Sequence, residues 1–177
     1  MTPLKLVVLC LVLLLTNGAC STAPQNSNTA TPASPSPVAQ RVTSESVVKV
    51  SAQPVQVAAG ESGETAVRIT IQTGYHVNAN PPTFAYLKAT ELELPHSPGV
   101  SLSFIVYPNP LTKTFSFAEK PLAVYEGVTD IKARLKVDKS TKPGQHDLPA
   151  KVQVQACDNQ VCYAPGTLEI SIPLIVK

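Results

Sequence analysis

The sequence contains no tryptophan and few charged residues, since Asp, Glu, Lys and Arg together make up 15% of its 177 residues. It also lacks the motifs of several enzyme classes: there is no phosphate-binding glycine loop, no dinucleotide fingerprint, no His-Glu-x-x-His and no readable pair of catalytic carboxylates. The formal net charge of +2 is too small to indicate binding to nucleic acid or to an anionic membrane surface. We therefore expect no cofactor and no nucleic-acid partner.

Proline is abundant in contrast, with 17 residues, and with the low charge it indicates β structure with proline-containing turns. From residue 46 onward, apolar and polar residues alternate with the period of two that marks half-buried strands. About eight such segments begin at Val48 (with an interruption at Pro54), Thr65, Thr90, Val100, Leu122, Ile131, Leu148 and Leu168. Pro54 lacks an N–H group for a ladder hydrogen bond, which suits an edge strand. We predict an all-β fold, an immunoglobulin-like β-sandwich, over residues 46–177.

Residues 1–20 have the pattern of an export signal. Lys5 precedes a continuous apolar run over residues 6–15, which is shorter than the roughly 20 apolar residues of a membrane-spanning helix. Gly18-Ala19-Cys20 then resembles the lipobox of bacterial lipoproteins, where cleavage leaves a lipidated cysteine, although Asn17 stands where that motif usually has an aliphatic residue. We predict lipid attachment at Cys20, with simple secretion and an uncleaved anchor as the alternatives.

Residues 21–45 are dominated by Ser, Thr, Ala, Pro and Asn. Such a segment has too few apolar side chains to form a core, so it should be a disordered tether. The sequence thus predicts a signal, a tether and one domain that begins at residue 46.

Only one pair of cysteines is a candidate for a disulfide in the domain. Cys10 lies within the predicted signal and Cys20 is the predicted lipid site, which leaves Cys157 and Cys162. Export would place this pair where a disulfide forms and persists. A bond across so short a loop is worth about 2 kcal/mol on chain-entropy grounds, against about 4.7 kcal/mol for a hundred-residue loop. That small gain weighs against a purely structural role.

Side-chain parity bears on whether this disulfide is exposed. One face of the preceding strand, which we take as the core face, carries Leu148, Ala150, Val152 and Val154. Cys157 has the opposite parity, so it points away from the core if the strand keeps its register. An accessible disulfide in a turn is the kind that exchanges with other thiols. Spacing and parity leave exchange and an inert staple open as alternatives.

A third use of two thiolates is metal binding together with a histidine. The histidines are His76, His96 and His146, and none stands at a ligand spacing such as His-x₃-His. We therefore predict no metal site.

Several short motifs, taken in order, resemble one known family. They are Gly74-Tyr75-His76-Val77-Asn78, Tyr107-Pro108, Val124-Tyr125-Glu126-Gly127, Gln155-Ala156-Cys157, Cys162-Tyr163-Ala164-Pro165 and Ile172-Pro173-Leu174. Each is weak alone, but their order over residues 47–177, with the cysteine pair just before the last strand, is fairly specific. The chain resembles the N-terminal domain of the bacterial thiol:disulfide interchange protein DsbD.

The resemblance implies an immunoglobulin-like fold and a redox-active cystine in the cell envelope, outside the cytoplasm. The partners it implies are a thioredoxin-like or membrane electron donor and oxidised extracytoplasmic thiol proteins. Cys162 would form the mixed disulfide with the partner, and Cys157 would complete the pair. The family also shields its cystine with a cap loop, which here corresponds to residues 104–113 with Phe104 or Tyr107 over the sulfurs.

Three further residues follow from the same comparison. His76 and Asn78 share parity at positions where the family has polar aromatic residues beside the cystine, although a polar strand end is an alternative interpretation. Tyr163 is expected to pack rather than to take part in chemistry. The cysteine spacing is one residue shorter than in the family version known to us, and no electron conduit or Cys-x-x-Cys domain follows the domain. A non-catalytic surface binding or assembly module with a structural disulfide is therefore the alternative function.

Overall fold

The computed structural model describes residues 41–177. The predicted export signal, Cys20 and residues 21–40 of the predicted tether lie outside the described residues. The described part contains twelve β-strands and one short 3₁₀ helix, Glu45–Val47. No helix in residues 41–177 is long and apolar enough to cross a membrane. The prediction of an all-β fold is confirmed.

The strands form three sheets of four strands each. In chain order they are β1 (Val48–Ala52), β2 (Val55–Val57), β3 (Ser62–Ile71), β4 (His76–Asn78), β5 (Glu91–Glu93), β6 (Val100–Val106), β7 (Leu111–Lys113), β8 (Leu122–Tyr125), β9 (Val128–Val137), β10 (Gly144–Val154), β11 (Ala156–Cys157) and β12 (Gly166–Val176). The first sheet has the order β1-β3-β9-β6, the second β2-β12-β10-β5 and the third β11-β4-β8-β7.

The first and second sheets, which contain the longest strands, face each other across the main core. Alternation buries one face of each long strand, with Val67, Ile69, Ile131 and Leu135 from the first sheet and Leu148, Val152, Ile172 and Leu174 from the second. Each buried aliphatic side chain of this size contributes roughly 1.5–3 kcal/mol. This arrangement is the predicted immunoglobulin-like sandwich, and its core includes neither cysteine of the candidate pair.

The interruption at Pro54 divides the predicted first strand in two. β1 lies at the edge of the first sheet and β2 at the edge of the second, where it runs parallel to β12. The chain therefore crosses between sheets at the residue that has no N–H group to donate. The prediction of an edge position is confirmed for both halves.

The third sheet is small and has two different faces. Val77 and Ala156 on one face join the main core. On the other face, Leu122 and Val124 form a second cluster with Phe115 and Leu87, which lie in segments that cross over the sheet. We call this second face the outer face. It is covered by its own small core rather than exposed to solvent.

Candidate functional site

Cys157 and Cys162 are joined by a disulfide at the edge of the third sheet. Cys157 ends β11, where it pairs across the ladder with His76 of β4. It also forms an isolated antiparallel bridge with Cys162. The disulfide therefore closes a short turn that leaves the sheet at Cys157 and returns beside it.

The two cysteines differ in exposure. Ala156 belongs to the main core, so alternation turns the neighbouring Cys157 to the outer face of the third sheet. It points away from the main core, as the parity predicted. It is nevertheless 0% exposed, whereas Cys162 is half-buried. The expectation of an accessible disulfide is thus wrong for Cys157, because the outer face has its own cover.

His76 lies directly beside the disulfide. Its side chain is 2% exposed and stacks on the ring of Phe115, with ring centroids 4.1 Å apart and an angle of 20° between the planes. Phe117 stacks in turn on Phe115 at 5.3 Å. The Nε2 atom of His76 has no hydrogen-bond partner among residues 41–177. A buried ring nitrogen without a hydrogen-bond partner lowers the stability of the fold. Such unpaired groups are typical of functional sites.

Burial is the main influence on the charge state of His76. It lowers the pKa of the imidazole below its ordinary value, since the cation loses hydration. The carboxylates of Glu126 and Asp158 act in the opposite direction, whereas the ammonium group of Lys113 lowers the pKa further. The neutral imidazole therefore predominates at neutral pH.

This shift makes the stability of the domain depend on pH. The pKa of His76 is lower in the folded than in the unfolded protein, so the unfolded chain takes up its proton first as the pH falls. We expect the free energy of unfolding to be fully retained above about pH 6.5, to decline below it and to level off below the folded-state pKa. Urea denaturation at two pH values on either side of this threshold measures the loss. His76→Phe should reduce it and the exposed-histidine control His96→Gln should not; an unchanged loss in His76→Phe would exclude His76 as its source.

Asn78 connects β4 to the disulfide turn through Gln155. The Asn78 side-chain amide donates to Gln155 Oε1 at 3.0 Å, and Gln155 Nε2 donates to the carbonyl oxygen of Tyr163 at 3.2 Å. The backbone N–H of Lys88 also donates to Gln155 Oε1, at 2.8 Å. Gln155 thus links strand β4, the segment that contains Lys88, and Tyr163, the residue that follows Cys162. Sequence reasoning missed this residue.

The turn between the cysteines is organised by Asp158. Its Oδ1 accepts hydrogen bonds from the backbone N–H groups of Gln160 and Val161 at 2.7 and 2.8 Å. The hydroxyl of Tyr163 donates to Oδ2 at 2.7 Å. This bond raises the pKa of Tyr163 to about 12, and the same donors lower the pKa of Asp158. Tyr163 therefore holds the turn as well as packing against Tyr75, with ring centroids 6.2 Å apart.

The base of the turn is held by Ser44, a residue of the predicted tether. Ser44 is buried, its hydroxyl donates to the carbonyl oxygen of Ala164 at 2.6 Å, and it accepts from the N–H of Ala156 at 3.0 Å. It therefore bridges the two limbs on either side of the cystine. The structured part of the chain begins before residue 46, and the low-complexity composition around Ser44 concealed this.

Phe104 and Tyr107 do not occupy the position beside His76. Phe104 is 60% exposed on β6, in the first sheet. The Tyr107 hydroxyl accepts a hydrogen bond from the N–H of Leu92 at 3.1 Å, and its ring packs on the main core. Phe115 takes that position instead. The two aromatic residues of Phe115-Ser116-Phe117, just after the predicted cap, are the sequence feature that could have indicated this contact.

A cleft of about 310 Å³ lies beside the histidine. His76, Tyr75 and Asn159 line it, together with the ion pair between Lys113 and Glu126. Within residues 41–177, no group of three or more His, Cys, Asp or Glu side chains is arranged to hold a metal ion. The chemistry available at this site is that of the disulfide and the polar groups around it.

Comparison with known families identifies the domain. The sequence profile of the N-terminal domain of the thiol:disulfide interchange protein DsbD matches residues 43–173. The chain belongs to this family. The resemblance drawn from the short motifs is therefore confirmed, and this DsbD N-terminal domain carries the disulfide-bonded cysteine pair that thiol–disulfide exchange requires.

One solved structure supports the fold. The N-terminal periplasmic domain of ScsB from Proteus mirabilis matches with a TM-score of 0.52 and 14% identity; the match covers 71% of this chain and 45% of that one. The DsbD N-terminal domain described here thus spans less than half of that solved chain. A cohesin–dockerin complex from Clostridium thermocellum matches over 74% of this chain and 99% of that one at 15% identity, with a TM-score of 0.32. Comparison with curated proteins gave no match.

Proposed function

We propose that this domain passes electrons between a thioredoxin-like or membrane reductant and extracytoplasmic protein thiols through the Cys157–Cys162 pair. The observation that carries the proposal is a disulfide in a DsbD N-terminal domain with one cysteine buried and the other half-exposed. Under this proposal the chain acts in the cell envelope. Lipid attachment at Cys20 and a tether before the domain are parts of the same proposal.

The proposed exchange begins at the more exposed sulfur. A thiolate of the reduced partner attacks Sγ of Cys162, so that a mixed disulfide forms and Cys157 leaves as a thiolate, which takes up a proton. The partner's second thiol then attacks the mixed disulfide and releases Cys162. The partner ends as a disulfide and this domain as a dithiol, with two electrons and two protons transferred.

Delivery to the second partner follows the same steps in the other direction. The Cys162 thiolate attacks the disulfide of an oxidised protein and forms a new mixed disulfide. Cys157 then attacks Cys162, which restores the original bond and releases the reduced protein. In this proposal His76, opposite Cys157 in the ladder, gives or accepts the proton that the Cys157 sulfur exchanges.

The burial of Cys157 favours one other function. A sulfur with no exposure also suits an inert staple in a binding or assembly module, as the immunoglobulin-like fold commonly provides. The two functions differ in the reduction potential of the bond, because structural disulfides resist the glutathione pool whereas exchanging ones do not.

The reduction potential is therefore the decisive measurement. We expect a value above about −250 mV when the domain is equilibrated in graded glutathione buffers and its free thiols are trapped. A value below about −300 mV would mark a structural bond and support the binding module. As a second readout, replacing both cysteines by serine should abolish exchange and cost about 2 kcal/mol or less of stability.

A further inference from the structure

Among the residues between the two cysteines, Asp158 is the one whose side chain accepts hydrogen bonds that hold the turn. We propose that it is a positioning residue, which keeps the two sulfurs adjacent after the disulfide has been reduced. The inference rests on the proposed function, since it concerns the dithiol that exchange would produce. It adds a residue that neither the motif comparison nor the spacing of the cysteines singled out.

The bonds that hold the turn do not involve sulfur. Both carboxylate oxygens of Asp158 are engaged, one by the N–H groups of Gln160 and Val161 and the other by the Tyr163 hydroxyl. The backbone adds two more, from the Asp158 N–H to the Val161 carbonyl at 2.9 Å and from the Tyr163 N–H to the Ala156 carbonyl at 2.8 Å. Breaking the S–S bond removes none of these five contacts.

A turn that keeps its conformation limits the conformational entropy that the chain gains when the disulfide is reduced. When a disulfide opens in a flexible loop, the two halves gain conformational entropy, which favours the reduced state. Hydrogen bonds that keep the turn ordered after reduction remove most of this entropy gain. The disulfide is therefore harder to reduce and re-forms more readily. Loss of the Asp158 contacts should therefore shift the equilibrium towards the dithiol and slow the attack of Cys157 on a mixed disulfide at Cys162.

Charge must be separated from geometry, because a carboxylate beside a thiol also disfavours the thiolate. Asp158→Asn removes the charge but keeps an oxygen that can accept from the N–H groups of Gln160 and Val161. Asp158→Ala removes both the charge and the acceptor. If the residue acts by holding the turn, the asparagine variant should resemble the wild type; if it acts by charge, the two variants should agree.

The experiment measures the equilibrium of each oxidised variant with glutathione, and the rate at which a mixed disulfide between Cys162 and glutathione is resolved. We expect Asp158→Ala to favour the dithiol by about tenfold, which corresponds to about 30 mV, and to slow resolution. Asp158→Asn should remain within about threefold of the wild type, a difference of less than 1 kcal/mol. The control Gln160→Ala, an exposed side chain in the same turn that contributes only its backbone N–H, should change neither quantity.

Two results would overturn the inference: an equilibrium within twofold of the wild type in Asp158→Ala, or equal shifts in the alanine and asparagine variants. Thermal unfolding of each oxidised variant shows whether the fold is intact. If Asp158→Ala does not fold, Tyr163→Phe removes one of the side-chain bonds and should give a smaller shift in the same direction. The shifts are differences between variants, so they remain measurable even if the wild-type potential contradicts the proposed function.

Discussion

In a Cys157→Ser variant, the remaining Cys162 thiol should react with a small maleimide on the order of tenfold or more faster than the Cys157 thiol of a Cys162→Ser variant. The physical reason is access, because Cys157 is 0% exposed and lies between His76 and the turn, whereas Cys162 is half-buried. Rates of thiol alkylation at one pH, followed by mass, give the ratio directly.

The denatured variants provide the control. In urea the two thiols should react at similar rates, which shows that the native difference comes from the fold and not from local sequence. Equal rates in the native state would contradict the assignment of Cys162 as the attacked sulfur. The proposed order of steps would then need to be reversed or abandoned.

Phe115→Ala should destabilise the domain by about 3 kcal/mol, the lower end of the range for a buried phenylalanine. Phe115 is 6% exposed and is shared between the small cluster on the outer face and the stack on His76. Its loss removes the ring stacked on His76, which pairs with Cys157 in the ladder, so it should make the disulfide more accessible. We therefore expect faster reduction by dithiothreitol as well as a lower midpoint of urea unfolding.

Phe104→Ala is the matched control, since it removes the same side chain from an exposed position. We expect it to change stability by no more than about 0.5 kcal/mol, as is usual for surface sites, and to leave the rate of reduction unchanged. If Phe104→Ala instead had the larger effect on stability and on the rate of reduction, the cover over the disulfide would lie near Phe104, where the motif comparison placed it.

The two large sheets could be predicted because their strands are long enough to show alternation. β3 alternates from Thr65 to Ile71 and β10 from Leu148 to Val154, and every buried position in these stretches except Thr65 is apolar. Three strands of the third sheet, β4, β7 and β11, were missed. They contain three, three and two residues, which is too short for a period to appear, and their sequences are partly polar.

The site lies in this poorly predicted part of the fold. The cysteine pair was visible from its spacing, and His76 was singled out through the family motifs. Phe115, Gln155 and Ser44 were not, because their roles depend on contacts between segments far apart in sequence: Phe115 with His76, Gln155 with Asn78, and Ser44 with the limbs of the turn. Local sequence carries no record of such contacts beyond residue type. Asp158 was also missed, although its contacts are local to the turn.

The bridge made by Ser44 also determines which end of the sandwich a label near the start of the described chain would report on. The chain enters the domain at the disulfide, whereas Lys177 pairs with Val57 and Ala59, beside the far end of the β10–β12 ladder. Eleven paired residues separate the two ends, a distance of roughly 35 Å along the strands. A fluorophore attached at position 41, where Arg41 shares a cleft with Tyr163 and Ala164, would therefore lie near the disulfide turn, and one attached at Lys177 would serve as a distant reference.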